Sequence, residues 1–227
     1  MILSKASAEE QVKHLLLKYT DLEVIASSPK ILIRGNIEIN RIYNDFHLHK
    51  SYLIEIIIPF DSDELPYVRD IGNHIDKRYP HRYFDGRLCL DTDSCIKIRF
   101  LNGFSLETWM EDYVEAYYFS YEYYMRYREF PFGERAHNLT GILQTYSEFF
   151  NEPDYKKTFL LMSAISKTKY RGHSLCPCGS KKKLRNCHGQ YVYRFYTDER
   201  LKSITVDDYN LIVGEIKKYN DYKKNKQ

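Results

Sequence analysis

An α+β fold with a small metal knuckle near the C-terminus is predicted from three observations. Period-two apolar runs are confined to the first third of the chain. Helical signals dominate from Ser105 onward. Three cysteines and a histidine fall within thirteen residues between Cys176 and His188. Strands grouped early and helices grouped late place an antiparallel sheet first, with helices at its end or face.

Taken in order, Ser7-Ala8-Glu9-Glu10 opens a first helix. Ser7 is its expected cap, and the glutamates sit at the positive end of its dipole. Val12, Leu15 and Leu16 form the apolar face. In Ile31 to Asn40, Ile31, Ile33, Ile37 and Ile39 alternate with Arg34, Asn36, Glu38 and Asn40, the pattern of a half-buried strand. Asn44-Asp45 starts a turn. Tyr52 to Ile58 is a second, more buried strand stopped by Pro59, and Leu65 to Ile71 reads as a short edge strand.

Residues 72–104 show no clear period. A helix capped by Ser105 is expected to run to about Arg128, where Phe130-Pro131-Phe132-Gly133 breaks the chain. Tyrosines crowd 113–127, and the simplest reading is a core helix packed on a sheet with phenol tips reaching polar partners. Further helices are expected over Thr140–Phe150, Asp154–Ser166 and Val206–Tyr219, with a frayed Lys-rich end at Lys223-Lys224-Asn225-Lys226. The expected organisation is a domain over 1–150, a connecting helix over 151–169, a knuckle over 170–191, and a C-terminal helix with a basic tail over 192–227.

No apolar run approaches the roughly 18–20 residues of a membrane span. The first residues run into an acidic amphipathic stretch rather than a signal peptide. Five cysteines, an odd number with metal-type spacing, argue for a reducing cytoplasm. The net charge of +3 divides unevenly: residues 161–227 carry 15 Lys/Arg and 6 Asp/Glu, and residues 1–160 carry 19 and 25. Seven basic residues and no acid lie within 167–190. Such a surface can meet nucleic acid, an acidic protein or lipid headgroups, or simply keep a small metal module in solution.

Cys176, Cys178, Cys187 and His188 supply the thiolate and imidazole donors that Zn2+ prefers in a closed tetrahedron. A four-ligand site leaves no place for a reactive water, so the expected role is structural. The run Cys176-Pro177-Cys178-Gly179-Ser180, then Cys187-His188-Gly189, resembles the SEC-C motif. Lys181 stands where that family commonly has a second glycine.

The second segment of interest is Tyr79-Pro80-His81-Arg82-Tyr83-Phe84-Asp85-Gly86-Arg87-Leu88-Cys89-Leu90-Asp91. Its turn at Asp85-Gly86 lifts a cysteine in a short apolar segment. Read from the residues alone, Cys89 is first of all a small buried hydrophobe between Leu88 and Leu90. The segment resembles the active-site stretch of ubiquitin-conjugating enzymes, in which a glycine three residues before the cysteine leads into an apolar-Cys-Leu-Asp step. The likeness spans roughly residues 5–150. It departs at the usual His-Pro-Asn tripeptide, which is absent; Tyr79-Pro80-His81 stands nearby. In that respect it is more similar to bacterial ubiquitin-conjugating-like families, as is the stretch from Glu129 to Ile142.

The resemblance implies a ubiquitin-conjugating-like antiparallel sheet flanked by helices and an acyl transferase in bacterial anti-phage defence. Cys89 would take a ubiquitin-like protein or a protein C-terminus as a thioester and pass it to an amine on a target such as a nucleotide cyclase, with activation supplied by a separate enzyme or bypassed. His81 and Tyr83 are the candidate oxyanion or proton-handling groups, and Asp91, with Asp93, would orient the incoming amine. Two rivals stand beside it. One is a catalytically inactive adaptor of the same fold that recruits partners through the basic knuckle. The other is a nucleic-acid or ribosome-associated zinc protein, which the acidic first part of the chain does not support.

Overall fold

The structure is a computed structural model that describes residues 3–136 and 138–224. His137 and the end of the Lys-rich tail, residues 225–227, lie outside the described residues. The chain divides into two compact units: Met1–Asp91 with Asn102–Glu134, and Thr92–Leu101 with Arg135–Gln227.

The first unit is built on a four-stranded antiparallel meander, in the order β1 (Leu22–Ala26), β2 (Ile31–Tyr43), β3 (Phe46–Ile58) and β4 (Tyr67–Asp70). Helix α1 (Lys5–Lys18) precedes it. Its cap is Ser4, whose hydroxyl accepts the Ser7 N–H at 3.2 Å, rather than Ser7, because Lys5 and Ala6 already lie in the helix. Strand β1 was not evident in the sequence: of its five residues only Leu22 is buried, so no alternation advertises it.

The alternation read on β2 is realised. Ile31, Ile33, Ile37 and Ile39 are buried, and β2 pairs with β3 down to Tyr43↔Phe46, so Asn44-Asp45 closes a two-residue hairpin. Gly35 permits the approach of β1; a Cβ there would lie 1.9 Å from the Asp21 carbonyl oxygen. The carboxylate of Glu55, buried on β3, accepts from Arg34 Nε at 2.7 Å and from Arg69 at 3.2 Å, the pairing a buried charge requires.

Ser105 does cap the next helix, accepting the Thr108 N–H at 3.2 Å. That helix is continuous but not regular: α3 (Leu106–Trp109) passes through a π turn (Met110–Glu115) into α4 (Ala116–Tyr127) and ends at Arg128 in the left-handed conformation, φ 61°. Arg41 reaches the π turn and donates to the Glu111 carbonyl at 2.6 Å. Trp109, Tyr118 and Phe119 are buried, and Phe46 packs edge-on against Phe119 and Tyr123. Of the tyrosine run, Tyr117, Tyr118 and Tyr121 are core, Tyr113, Tyr123 and Tyr124 are half-buried and Tyr127 is exposed.

The second unit is helical. Helix α2 (Asp93–Arg99), capped by Thr92, lies in the stretch read as aperiodic; seven residues are too few to display a period. Helices α5 (Asn138–Phe150), α6 (Tyr155–Lys167), α7 (Gly189–Thr197) and α8 (Glu199–Lys224) follow. The helix ending at Phe150, expected to close the sheet domain, groups with the C-terminal helices because Ile142, Tyr146 and Phe150 belong to their core, with Leu161, Ile165, Val192, Phe195 and Ile212. Helix α6 falls within a residue of the expected bounds, with Asp154 as its cap. Helix α8 begins seven residues before the expected Val206. Inside this unit Asp208 accepts from the Tyr146 hydroxyl at 2.8 Å and from Ser94, and burial raises its carboxyl above the ordinary range. No helix among the described residues is long and apolar enough to cross a membrane.

Candidate functional site

The candidate metal centre is assembled by a tight ribbon and a helix start. Ser174 and Leu184 are joined by a Leu184 N–H to Ser174 C=O bond of 2.8 Å, and Cys176 N–H donates to Lys182 C=O at 2.8 Å. Between these rungs the chain reverses through Gly179 (φ 81°) and Lys181 (φ 61°). The left-handed Lys181 is the physical reason a glycine suits that position. A short 3-10 turn (Leu184–Asn186) then delivers Cys187 and His188 to the first turn of α7, where the His188 carbonyl accepts from Tyr191 and Val192. Gly189 is required by closeness: a Cβ would meet the Leu184 carbonyl at 2.8 Å.

The four donor atoms converge. Nδ1 of His188 lies 3.3 Å from Sγ of both Cys176 and Cys187, and Cys178 and Cys187 sulfurs are 3.6 Å apart. All four donors fall within 4.8 Å of one another. A zinc–sulfur bond of about 2.3 Å implies tetrahedral edges of about 3.5–3.8 Å, close to these three shorter separations. Cys176, Cys178 and His188 are buried and Cys187 is half-buried. Burial pushes the Cys176 thiol up to about 12. At Cys178 burial acts the same way but is outweighed by hydrogen bonds from Ser180 and the neighbouring thiols, which hold that thiol below its usual range. The donors fit a metal that favours thiolate. Among the described residues no other cluster qualifies: His47 and His49 stack on β3, His47 bonding to Asn40 and His49 to Glu38.

Residues 174–190 match the SEC-C motif. The SEC-C segment is of a zinc-binding type, and it occupies only these seventeen residues of the chain. No curated protein and no solved structure matches the chain.

The Cys89 segment is a second, separate construction. Tyr83 N–H donates to Arg87 C=O at 2.8 Å and Cys89 N–H to His81 C=O at 2.8 Å, with Arg82 bridged to Leu88. In that register His81 stands directly opposite Cys89, and Tyr83 opposite Arg87. Gly86, at φ 85°, makes the turn. Leu88 N–H donates to Val68 C=O at 2.9 Å, which ties the hairpin to the outer side of β4. The His81 carbonyl also accepts the Tyr117 hydroxyl at 2.9 Å; burial raises the Tyr117 phenol well above its usual range, so it stays a donor.

Cys89 and Asp91 are half-buried, Tyr83 is exposed, and Phe84 at the tip is fully exposed. The His81 ring packs on Phe130, with Nε2 3.5 Å from a Glu134 carboxylate oxygen. The Arg87 guanidinium stacks on Tyr83 and Tyr67 and pairs with Asp85 at 2.7 Å. The hairpin thus aligns His81 with Cys89 across one ribbon and puts Tyr83 on the same face. Asp91 lies beyond the last rung of the ribbon, and Asp93 and Cys95 belong to α2 in the other unit. Tyr117 and Glu134 were not singled out in the sequence. Tyr117 was hidden among other tyrosines, and Glu134 lies 53 residues from His81.

Proposed function

We propose that the protein is a ubiquitin-conjugating-like transferase whose acyl-carrying residue is Cys89, with a structural Zn2+ held by Cys176, Cys178, Cys187 and His188. The observation that carries the first part is the pinned hairpin: a half-exposed cysteine on the edge of a four-stranded antiparallel meander, opposite a histidine, with a helix before the sheet and a long helix after it. The resemblance of residues 79–91 to conjugating enzymes supports the same reading.

The chemistry is two acyl transfers. The Cys89 thiolate attacks the thioester carbonyl of a protein C-terminus carried by a partner enzyme, and that partner's thiol leaves. A target amine then attacks the Cys89 thioester, an amide forms, the Cys89 thiolate leaves, and the amine's proton passes to a base. His81 is the nearest titratable group in the ribbon register and Asp91 the nearest carboxylate in sequence. Cytoplasmic location, a ubiquitin-like donor, a protein target such as a nucleotide cyclase, and a place in anti-phage defence belong to this proposal. When bound, zinc supplies structure only, by closing the ribbon onto α7.

The adaptor reading is favoured by one observation, the missing asparagine beside His81. The two are separated by offering the folded chain a peptide bearing a C-terminal thioester. A transferase takes up the acyl group on Cys89 as a hydroxylamine-sensitive adduct. Uptake no faster than on the same chain after denaturation would leave the adaptor.

A further inference from the structure

The SEC-C segment contains four donors but not the group that orients its histidine. In the fold, that group comes from 36 residues upstream. Glu152 stands at the joint between α5 and α6, and its Oε2 lies 3.2 Å from Nε2 of His188. Both side chains are buried, at 9% and 10% exposure.

We propose that Glu152 is the positioning residue of the metal centre, fixing the ring orientation and tautomer of His188. A carboxylate oxygen accepts only, so Nε2 must carry the proton that faces it. The neutral ring then has its lone pair on Nδ1, the nitrogen that sits 3.3 Å from the sulfurs of Cys176 and Cys187. The opposite tautomer would set Nε2 and Oε2 face to face as two acceptors in a buried place. Positive charge drawn from a metal-bound ring would also be met by this carboxylate.

Glu152 is itself held at every polar group. Its N–H donates to the Ser147 carbonyl at 3.0 Å, and its carbonyl accepts the hydroxyls of Ser147 at 2.7 Å and Thr158 at 3.0 Å. Its Oε1 accepts the Asp154 N–H at 3.1 Å. Such a residue is preorganised before any metal arrives. The arrangement ties the metal centre to the α5–α6 joint, so the module is larger than its motif. This inference rests on the zinc reading and is independent of the one made for Cys89.

The test uses the full chain purified with zinc. Metal content and affinity are measured by competition with a chromophoric chelator for wild type, Glu152→Ala, Glu152→Gln, His188→Cys and the double variant Glu152→Ala/His188→Cys. The expected result is one zinc per wild-type chain and an affinity loss of about 10–100-fold in Glu152→Ala. The loss should be smaller in Glu152→Gln, which keeps an acceptor, and absent when alanine is added to His188→Cys. A wild-type chain without zinc overturns the metal reading and this inference together. Zinc with an Ala effect below about threefold, or an undiminished Ala effect in the His188→Cys background, overturns the inference alone. Should Glu152→Ala fail to fold, imidazole nitrogen NMR of the zinc-loaded wild type decides: protonated Nε2 is expected, and a proton or no metal contact at Nδ1 contradicts it.

Discussion

The SEC-C segment and the Cys89 hairpin are both short, turn-bearing ribbons with cysteines, yet they use their cysteines in opposite ways. In the first, three sulfurs and an imidazole face one another, all buried except the half-buried Cys187. In the second, a single half-exposed sulfur is carried by a ribbon whose backbone bonds, together with Tyr117, do the holding. Thiols that converge in this way can hold a metal and serve the scaffold. The proposed function gives the other kind of thiol, carried by a ribbon that backbone bonds hold in place, the chemistry. The difference is one of what would collapse if the sulfur were removed.

The largest effect that this comparison predicts follows metal removal. Structural zinc contributes about 10–16 kcal/mol of apparent binding free energy in small zinc modules. Chelation should therefore raise amide hydrogen exchange across 170–195 by orders of magnitude while the β2–β3 ladder keeps its protection. Equal loss in both regions would break the distinction. Next in size is the cysteine-by-cysteine contrast. Cys176→Ser should lower the thermal midpoint by several degrees or prevent zinc retention, whereas Cys89→Ser should change stability by no more than about 1 kcal/mol, the scale of a partly exposed substitution.

Tyr117→Phe sharpens the hairpin side of the comparison. It deletes one hydrogen bond to the His81 carbonyl, costing about 0.5–1.5 kcal/mol, and should slow acyl uptake on Cys89 without touching zinc content. A variant with unchanged uptake would remove Tyr117 from the account. The smallest effect lies at Lys181. With φ at 61°, Lys181→Gly should stabilise the zinc-loaded ribbon by about 0.4–1 kcal/mol in a thermal melt. Destabilisation would mean that the lysine side chain makes a contact worth more than the backbone strain.

Legibility in the sequence followed the range of the interactions. The metal donors are contiguous, so spacing alone brought all four together. The isoleucine alternation on β2 likewise reports its own burial. Strand β1, with one buried residue, and α2, with seven residues, carry no period to read. Helix α7 went unread because its apolar face begins only after Cys187-His188, inside what reads as a metal loop. Glu152 and Tyr117 act across 36 residues each, on His188 and His81 respectively, and no local pattern marks such partners. In the Cys89 segment the sequence offered a cysteine, a histidine and a turn; the strand register that sets His81 opposite Cys89 required the folded ribbon.

The most direct test of the central claim, that Cys89 carries an acyl group, is intact mass under non-reducing conditions of the chain expressed with its neighbouring genes, as wild type, Cys89→Ala and Cys89→Ser. A thiol-sensitive adduct on wild type, absent from Cys89→Ala and converted to a thiol-resistant ester in Cys89→Ser, is the predicted result, and its mass names the donor. An adduct that persists in Cys89→Ala, or none in any form with Cys89 refractory to alkylation in the folded chain, would contradict it.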